Sequence, residues 1–267
     1  MTYARYVAIG DSQTEGLGDG DDTVGHRGWA DRLAEHLAAA NPDLLYANLA
    51  VRGRQAAQIR AEQLPAALAL RPDLVTVMAG MNDIIRSGFD AATVADIVAD
   101  MIAQLTAAGA HVVTMTFPDI ARIAPLARPL RPRLIDFNAR VREAAARPGV
   151  TLVDTFSLDF ATDARMWSVD RLHANPSGHA RFAAAVAHAL DLPGADDTWM
   201  APLPPLPTLG AWRAASAEMR WFATFAGPWI GRRLLGRSSG DGRTAKRPLL
   251  TPLIDGNQSM LGKSGSS

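Results

Sequence analysis

Five short apolar runs alternate with longer stretches of helical period, and this alternation constrains the fold more than any other feature of the chain. The runs are Tyr6 to Ile9, Leu44 to Leu49, Leu74 to Ala79, Val112 to Phe117 and Val150 to Val153. Amphipathic stretches lie at Trp29 to Ala40, Gln55 to Leu70, Thr93 to Ala108 and Leu134 to Ala146, with a fifth at Pro176 to Leu190. Runs that are apolar throughout suit strands buried on both faces, and strand–helix–strand units join parallel strands by right-handed crossovers. The pattern therefore predicts a three-layer α/β/α domain, with a parallel sheet of about five strands, ending near residue 192. A chain of 267 residues, 48% hydrophobic, can bury such a core and still carry an appendage.

The appendage begins where the composition changes. Pro193, Pro202, Pro204, Pro205 and Pro207 favour an extended linker. Trp212, Ala215, Met219, Phe222 and Phe225 then fall at spacings of three or four, predicting one helix stopped by Gly227 and Pro228. Residues 231 to 247 set Arg232, Arg233, Arg237, Arg243, Lys246 and Arg247 against Asp241, and from Ser238 onward the chain reads as a basic, Gly-rich tail, disordered in its final GKSGSS. The domain division expected is thus 1–192 for the α/β unit and 193–267 for linker, helix and tail.

Charge excludes little here, because 27 basic residues balance 27 acidic ones and nothing calls for nucleic acid. The absence of cysteine removes disulfides, thiolate metal clusters and a cysteine nucleophile. No apolar run approaches the roughly 18 residues of a spanning helix, and Met1 leads into the first strand too quickly to leave room for a secretory leader. A cytoplasmic location is the expectation.

In a parallel sheet ligands bind outside the carboxyl ends of the strands, so the residues following each strand matter most. The first strand leads into Gly10, Asp11 and Ser12, the second into Asn48 to Gly53 (NLAVRG), and the third into Gly80, Met81, Asn82 and Asp83. A serine hydroxyl needs a base to become a nucleophile at neutral pH, and imidazole has a suitable pKa. Of six histidines, His36, His179 and His188 fall on helical stretches and His111 opens a strand, which marks them as structural or exposed. His26 lies in an acidic loop and stays open. His173, in DRLHANPSGH, follows Asp170 by three residues, so that a carboxylate can curl back to the imidazole Nδ1–H. Asn175 and Pro176 then read as N-cap and first residue of a helix.

These four blocks together resemble the SGNH hydrolases, also called the GDSL esterase and lipase family: Ser12 in GDSQTEG, Gly53 in NLAVRG, Asn82 in GMND and His173 in DRLH, in the family's order. The likeness spans about residues 4 to 190, with Gln13 at a position the family varies. It implies a flavodoxin-like sheet, a Ser12–His173–Asp170 triad, an oxyanion hole built from the N–H groups of Ser12 and Gly53 and the Asn82 amide, and no cofactor or metal. Acyl transfer to a serine requires the same parts, since donors must point where negative charge develops. Asp11 and Asp83 are read as shaping their turns.

Other signals are weaker. GRSSG at 236–240 matches G-x-S-x-G but lacks a strand before it and a helix after it, so Ser238 is not expected to act as a nucleophile. DGDD at 19–22 suggests a calcium loop, yet Ala30 stands at its twelfth position where a bidentate Glu is needed. Arg122, Arg128, Arg131 and Arg133 are expected to face solvent, the alternative being a wall for an acidic substrate. The Trp212 to Leu235 segment is expected to pack on the domain. A lid, a homodimer contact or lipid contact through Trp221, Trp229, Arg232 and Arg233 are the alternatives. The function expected is hydrolysis of a small-molecule carboxylic ester, with acyl transfer to a sugar or glycerol hydroxyl and a non-catalytic binding module as alternatives.

Overall fold

The computed structural model describes residues 2–205, 211–228, 231 and 240–253. Ser238, Trp229, the Arg232–Arg233 pair and the GKSGSS terminus lie outside these residues. The five expected strands are present as β1 (Arg5–Gly10), β2 (Leu45–Asn48), β3 (Leu74–Met78), β4 (His111–Met115) and β5 (Val150–Val153). They pair in parallel in the order β2-β1-β3-β4-β5, with Ala8 beside Asn48 and Gly10 beside Met78. The sheet therefore reverses its winding direction at β1, and the ends of β1, β2 and β3 lie side by side at that switch point.

Helices α1 (Trp29–Ala40), α2 (Ala56–Glu62), α3 (Leu64–Ala69), α4 (Ala91–Ala107), α5 (Arg131–Ala145) and α6 (Pro176–Ala189) flank the sheet, with α1 packed on α6 and α4 on α5. The core runs through the sheet: Tyr6, Leu33, Leu37, Leu74, Met101 and Phe137 are fully buried. The single helix expected over 55–70 is broken into α2 and α3 at Gln63. Pro65, at the second residue of α3, supplies no N–H and its ring obstructs a continuous helix. The break is used. The Gln63 carboxamide accepts from Gly10 N (2.8 Å) and donates to Gly10 O (2.9 Å), satisfying both backbone groups of the last β1 residue.

The sheet also has a sixth strand that the hydrophobic pattern does not disclose. Residues 247–252, read above as part of a basic tail, form β6 (Arg247–Pro252), antiparallel to β2 at the sheet edge. Its basic residues serve as anchors. Lys246 Nζ donates to Asp31 Oδ2 (2.6 Å) and to the carbonyls of Glu15 and His26, while Arg247 donates to Tyr46 O and lies over the Tyr46 ring. The expected C-terminal helix is α7 (Ala211–Trp221), continued by a wider π-type turn over Phe222–Ala226. No described helix is long and apolar enough to cross a membrane.

Gly80 follows β3 with φ +122°, and a Cβ there would stand 2.5 Å from the Phe137 ring. Gly80→Ala is expected to cost about 2–3 kcal/mol in urea unfolding, combining backbone strain with core overlap. The m-value should not change.

Candidate active site

The serine turn is built for exposure of one side chain. Asp11 caps a single helical turn, Ser12–Glu15, by accepting from Gln13 N (3.2 Å), and Gly16 ends it in the left-handed region at φ 104°. Ser12 is thereby the first helical residue, whose N–H has no intrahelical acceptor. Its side chain opens into a cavity of about 420 Å³, which Gly53, Asn82, Asp170 and His173 also line. All the expected site residues thus meet at one place.

The DRLH turn is heavily tied. Asp170 Oδ2 lies 2.7 Å from His173 Nδ1, and its Oδ1 accepts from Ser168 Oγ (2.6 Å), Leu172 N (2.9 Å) and His173 N (3.1 Å). Burial by itself would raise the Asp170 carboxyl, but the His173 imidazole and these donors outweigh it and hold the group well below the usual carboxylate range. A permanently ionised Asp170 keeps the Nδ1–H on its own side of the ring and leaves Nε2 as the basic nitrogen. Arg171, in the middle of the turn, adopts φ 56°, a strained conformation for a side chain with a Cβ. It is restrained by an ion pair with Glu218 (2.6 Å) and by stacking on Trp221, whose indole N–H donates to Asp170 O (2.8 Å).

Gln13 joins the two halves. Its Nε2 donates to Leu172 O (2.6 Å) and its Oε1 accepts from Ala174 N (3.3 Å), so that one amide next to Ser12 grips both neighbours of His173. Among the described residues no hydrogen bond joins Ser12 Oγ to His173, a looseness common in sites that tighten on binding substrate. Sequence reasoning missed Gln13 and Ser168 as functional supports. The only available signal was a polar side chain one residue from the serine and two from the aspartate.

Gly53 turns the chain after β2 at φ +78°. The preceding Arg52 is almost fully buried and fixes this loop: its N donates to Glu15 Oε2 (2.6 Å) and its guanidinium reaches Glu15 Oε1 twice (2.6 and 2.9 Å). Asn82 Nδ2 donates to Asp11 Oδ2 (2.9 Å) and Arg54 O (3.0 Å). Asp83, expected to shape its own turn, instead accepts from Ala56 N (3.0 Å) and so ties that turn to the start of α2. Asp11 does more than shape its turn, because it also holds the Asn82 amide.

The remaining candidates lie elsewhere. His179 is fully buried, its Nδ1 accepting from Trp29 N and its Nε2 donating to Leu17 O. His26 stands 3.0 Å from Asp22. In the acidic loop Asp19 pairs with Arg32, Asp22 with Arg52 and Arg243, and Asp21 caps its own turn through Thr23 N and Val24 N. Among the described residues no group of three potential ligands forms a metal site. Arg131 pairs with Asp119 and Arg133 donates to the Ile84 and Arg86 carbonyls, and none of the four arginines lines the serine cavity.

A sheet of this winding, with Ser12 at the first switch-point turn and the Asp170–His173 pair lining the same cavity, has the three-layer α/β/α architecture of the SGNH hydrolases. A sequence profile described as the GDSL-like Lipase/Acylhydrolase family matches residues 8–181, and the chain belongs to this family of carboxylic ester hydrolases. No curated protein sequence matches the chain at a significant level. Solved structures with the same fold include an acetylxylan esterase, Axe2, from Geobacillus stearothermophilus, at 21% identity and a TM-score of 0.58, covering 71% of this chain and 96% of that one. A lipase, Lip_vut3, from a goat rumen metagenome shares 17% identity at a TM-score of 0.60, covering 70% and 97%. LAE5, described as an alpha/beta hydrolase enzyme from the metagenome of Lake Arreo, shares 24% at 0.58, covering 70% and 95%.

Two buried groups give the stability an unusual pH dependence. Burial pushes Asp11 up to about 6 and His179 down to about 4. Between about pH 4 and 6 folded Asp11 holds a proton that the unfolded chain has lost, so its contribution falls as pH rises. His179 acts oppositely: below about 6.5 the unfolded imidazole protonates while the folded one stays neutral, so its contribution falls with falling pH. The two offset each other. Asp11→Asn should therefore lose more stability than wild type on acidification from pH 6.5 to 4.5, by roughly 2 kcal/mol in denaturant titrations.

Proposed function

We infer that the chain hydrolyses its ester through an acyl-enzyme on Ser12. Ser12 Oγ attacks the carbonyl carbon as its proton passes to His173 Nε2, and Asp170 stabilises the imidazolium so formed. The oxyanion is held by the N–H groups of Ser12 and Gly53 and by the Asn82 amide, one N–H of which turns from its resting acceptor to the developing charge. Collapse expels the alcohol, which takes the proton from His173. Water, activated by the same imidazole, then attacks the acyl group and restores Ser12.

The observation that carries this reading is the 2.7 Å His173–Asp170 bond in a turn gripped on both sides by the residue next to Ser12. Family membership supports it, as do two structural neighbours, an acetylxylan esterase and a lipase.

With p-nitrophenyl acetate, Ser12→Ala should lower kcat by about 10⁴-fold or more, and a fluorophosphonate probe should label wild type but not this variant. Asp170→Asn should cost about 10⁴-fold and Asn82→Ala about 10²–10³-fold. Equal residual turnover in wild type and Ser12→Ala removes the assignment.

A further inference from the structure

The cavity that opens on Ser12 is sharply divided in character. Among the described residues its polar and charged side chains come from residues 11–13, from Asn82 and from residues 170–173, and the other lining residues are apolar or glycine. Two groups of the apolar lining come from outside the strand ends: Phe117, Ile120 and Leu130 from the segment after β4, and Trp221, Phe222 and Phe225 from α7 and the turn that continues it. This second group lies beyond residues 8–181, the part matched by the family profile. The wall is closed by contact, since Trp221 and Ala226 pack with Ala124 and Ala127. It is also anchored to the catalytic turn, because Trp221 donates to Asp170 O and Glu218 pairs with Arg171. Yet Phe222 and Phe225 remain 39% and 37% exposed, although they line the cavity. Aromatic surface left open inside a concavity of this size is the signature of a site awaiting an apolar ligand.

Building on the esterase reading, we propose that the C-terminal segment 211–226 forms one wall of a hydrocarbon-binding site, and that the substrate is an ester carrying an apolar chain well beyond acetyl. An acetyl group occupies only the polar head of the cavity and leaves its apolar floor to water. Each methylene added to the chain displaces that water against Phe117, Ile120, Phe222 or Phe225, a gain that adds to transition-state binding when the chain is held through the reaction. The hydrocarbon can belong to the acid or to the alcohol half of the ester. Either half would use the same wall.

The test is a chain-length series on the full protein, with substrates kept below their aggregation concentrations. One arm uses p-nitrophenyl esters from acetate to octanoate, the other acetates of alkanols from ethanol to octanol. The expectation is that kcat/KM climbs by about tenfold or more from the shortest to the longest member of at least one arm, the rising arm identifying the half that is bound. In Phe222→Ala/Phe225→Ala the ratio of long-chain to short-chain kcat/KM should fall by about tenfold, and in Ala226→Phe the preferred chain should shorten. Both aromatic positions are partly exposed, so the double variant is expected to fold. A flat or falling series in both arms overturns the proposal, as does a double variant whose chain-length ratio equals that of wild type. Loss of turnover in Ser12→Ala alongside a flat series would leave the esterase standing and remove only the hydrocarbon site.

Discussion

The site depends on one neutral side chain. The Gln13 carboxamide spans from the serine turn to the histidine turn, segments 159 residues apart in sequence, and engages the backbone on both sides of His173. Parallel strands bring chain ends to one edge of the sheet, but they do not by themselves align a hydroxyl with an imidazole. A bidentate amide ties the serine and histidine turns together, since its donor and acceptor face a carbonyl and an N–H at fixed separation. Being uncharged, it does so without adding a charge beside the Asp170–His173 pair.

Charge plays a complementary role one loop away. Glu15 and Arg52 form a buried, multiply bonded ion pair whose carboxylate also takes the Arg52 backbone N–H. Desolvation offsets most of what such a pair contributes to stability. What it supplies is position: the peptide entering Gly53 is held by a partner that is itself part of the serine turn. Asp11, on the same turn, reaches Asn82. Each element of the proposed anion cradle is therefore referred back to residues 11–15, so that displacing this short turn would disturb every part of it together.

How much of this was legible in the sequence follows from where the determinants lie. The five parallel strands and most helices are written in local periodicity, and α1 runs over the expected residues because Trp29 to Ala40 carries an unbroken apolar stripe. Ser12, Gly53, Asn82 and the Asp170–His173 spacing are local motifs, and the structure gathers them around one cavity. The break at Gln63, the Gln13 bridge and the Arg171–Trp221 contact were hidden, because each depends on a partner about 50 or more residues distant that no periodicity encodes. β6 was missed for a different reason. Its flanking charges read as a solvated tail, whereas the cations are consumed by acceptors on the first fifty residues and its prolines, Pro248 and Pro252, sit in an edge strand.

Those prolines have a further structural effect. β6 occupies the outer edge of the sheet beside β2, and two of its six residues, Pro248 and Pro252, have no amide hydrogen to offer a neighbouring chain. Antiparallel or parallel annealing of another molecule along this margin would begin with vacant rungs in the ladder. Self-association by extending the sheet is thus disfavoured along this margin, whereas β5, at the opposite edge, carries no proline.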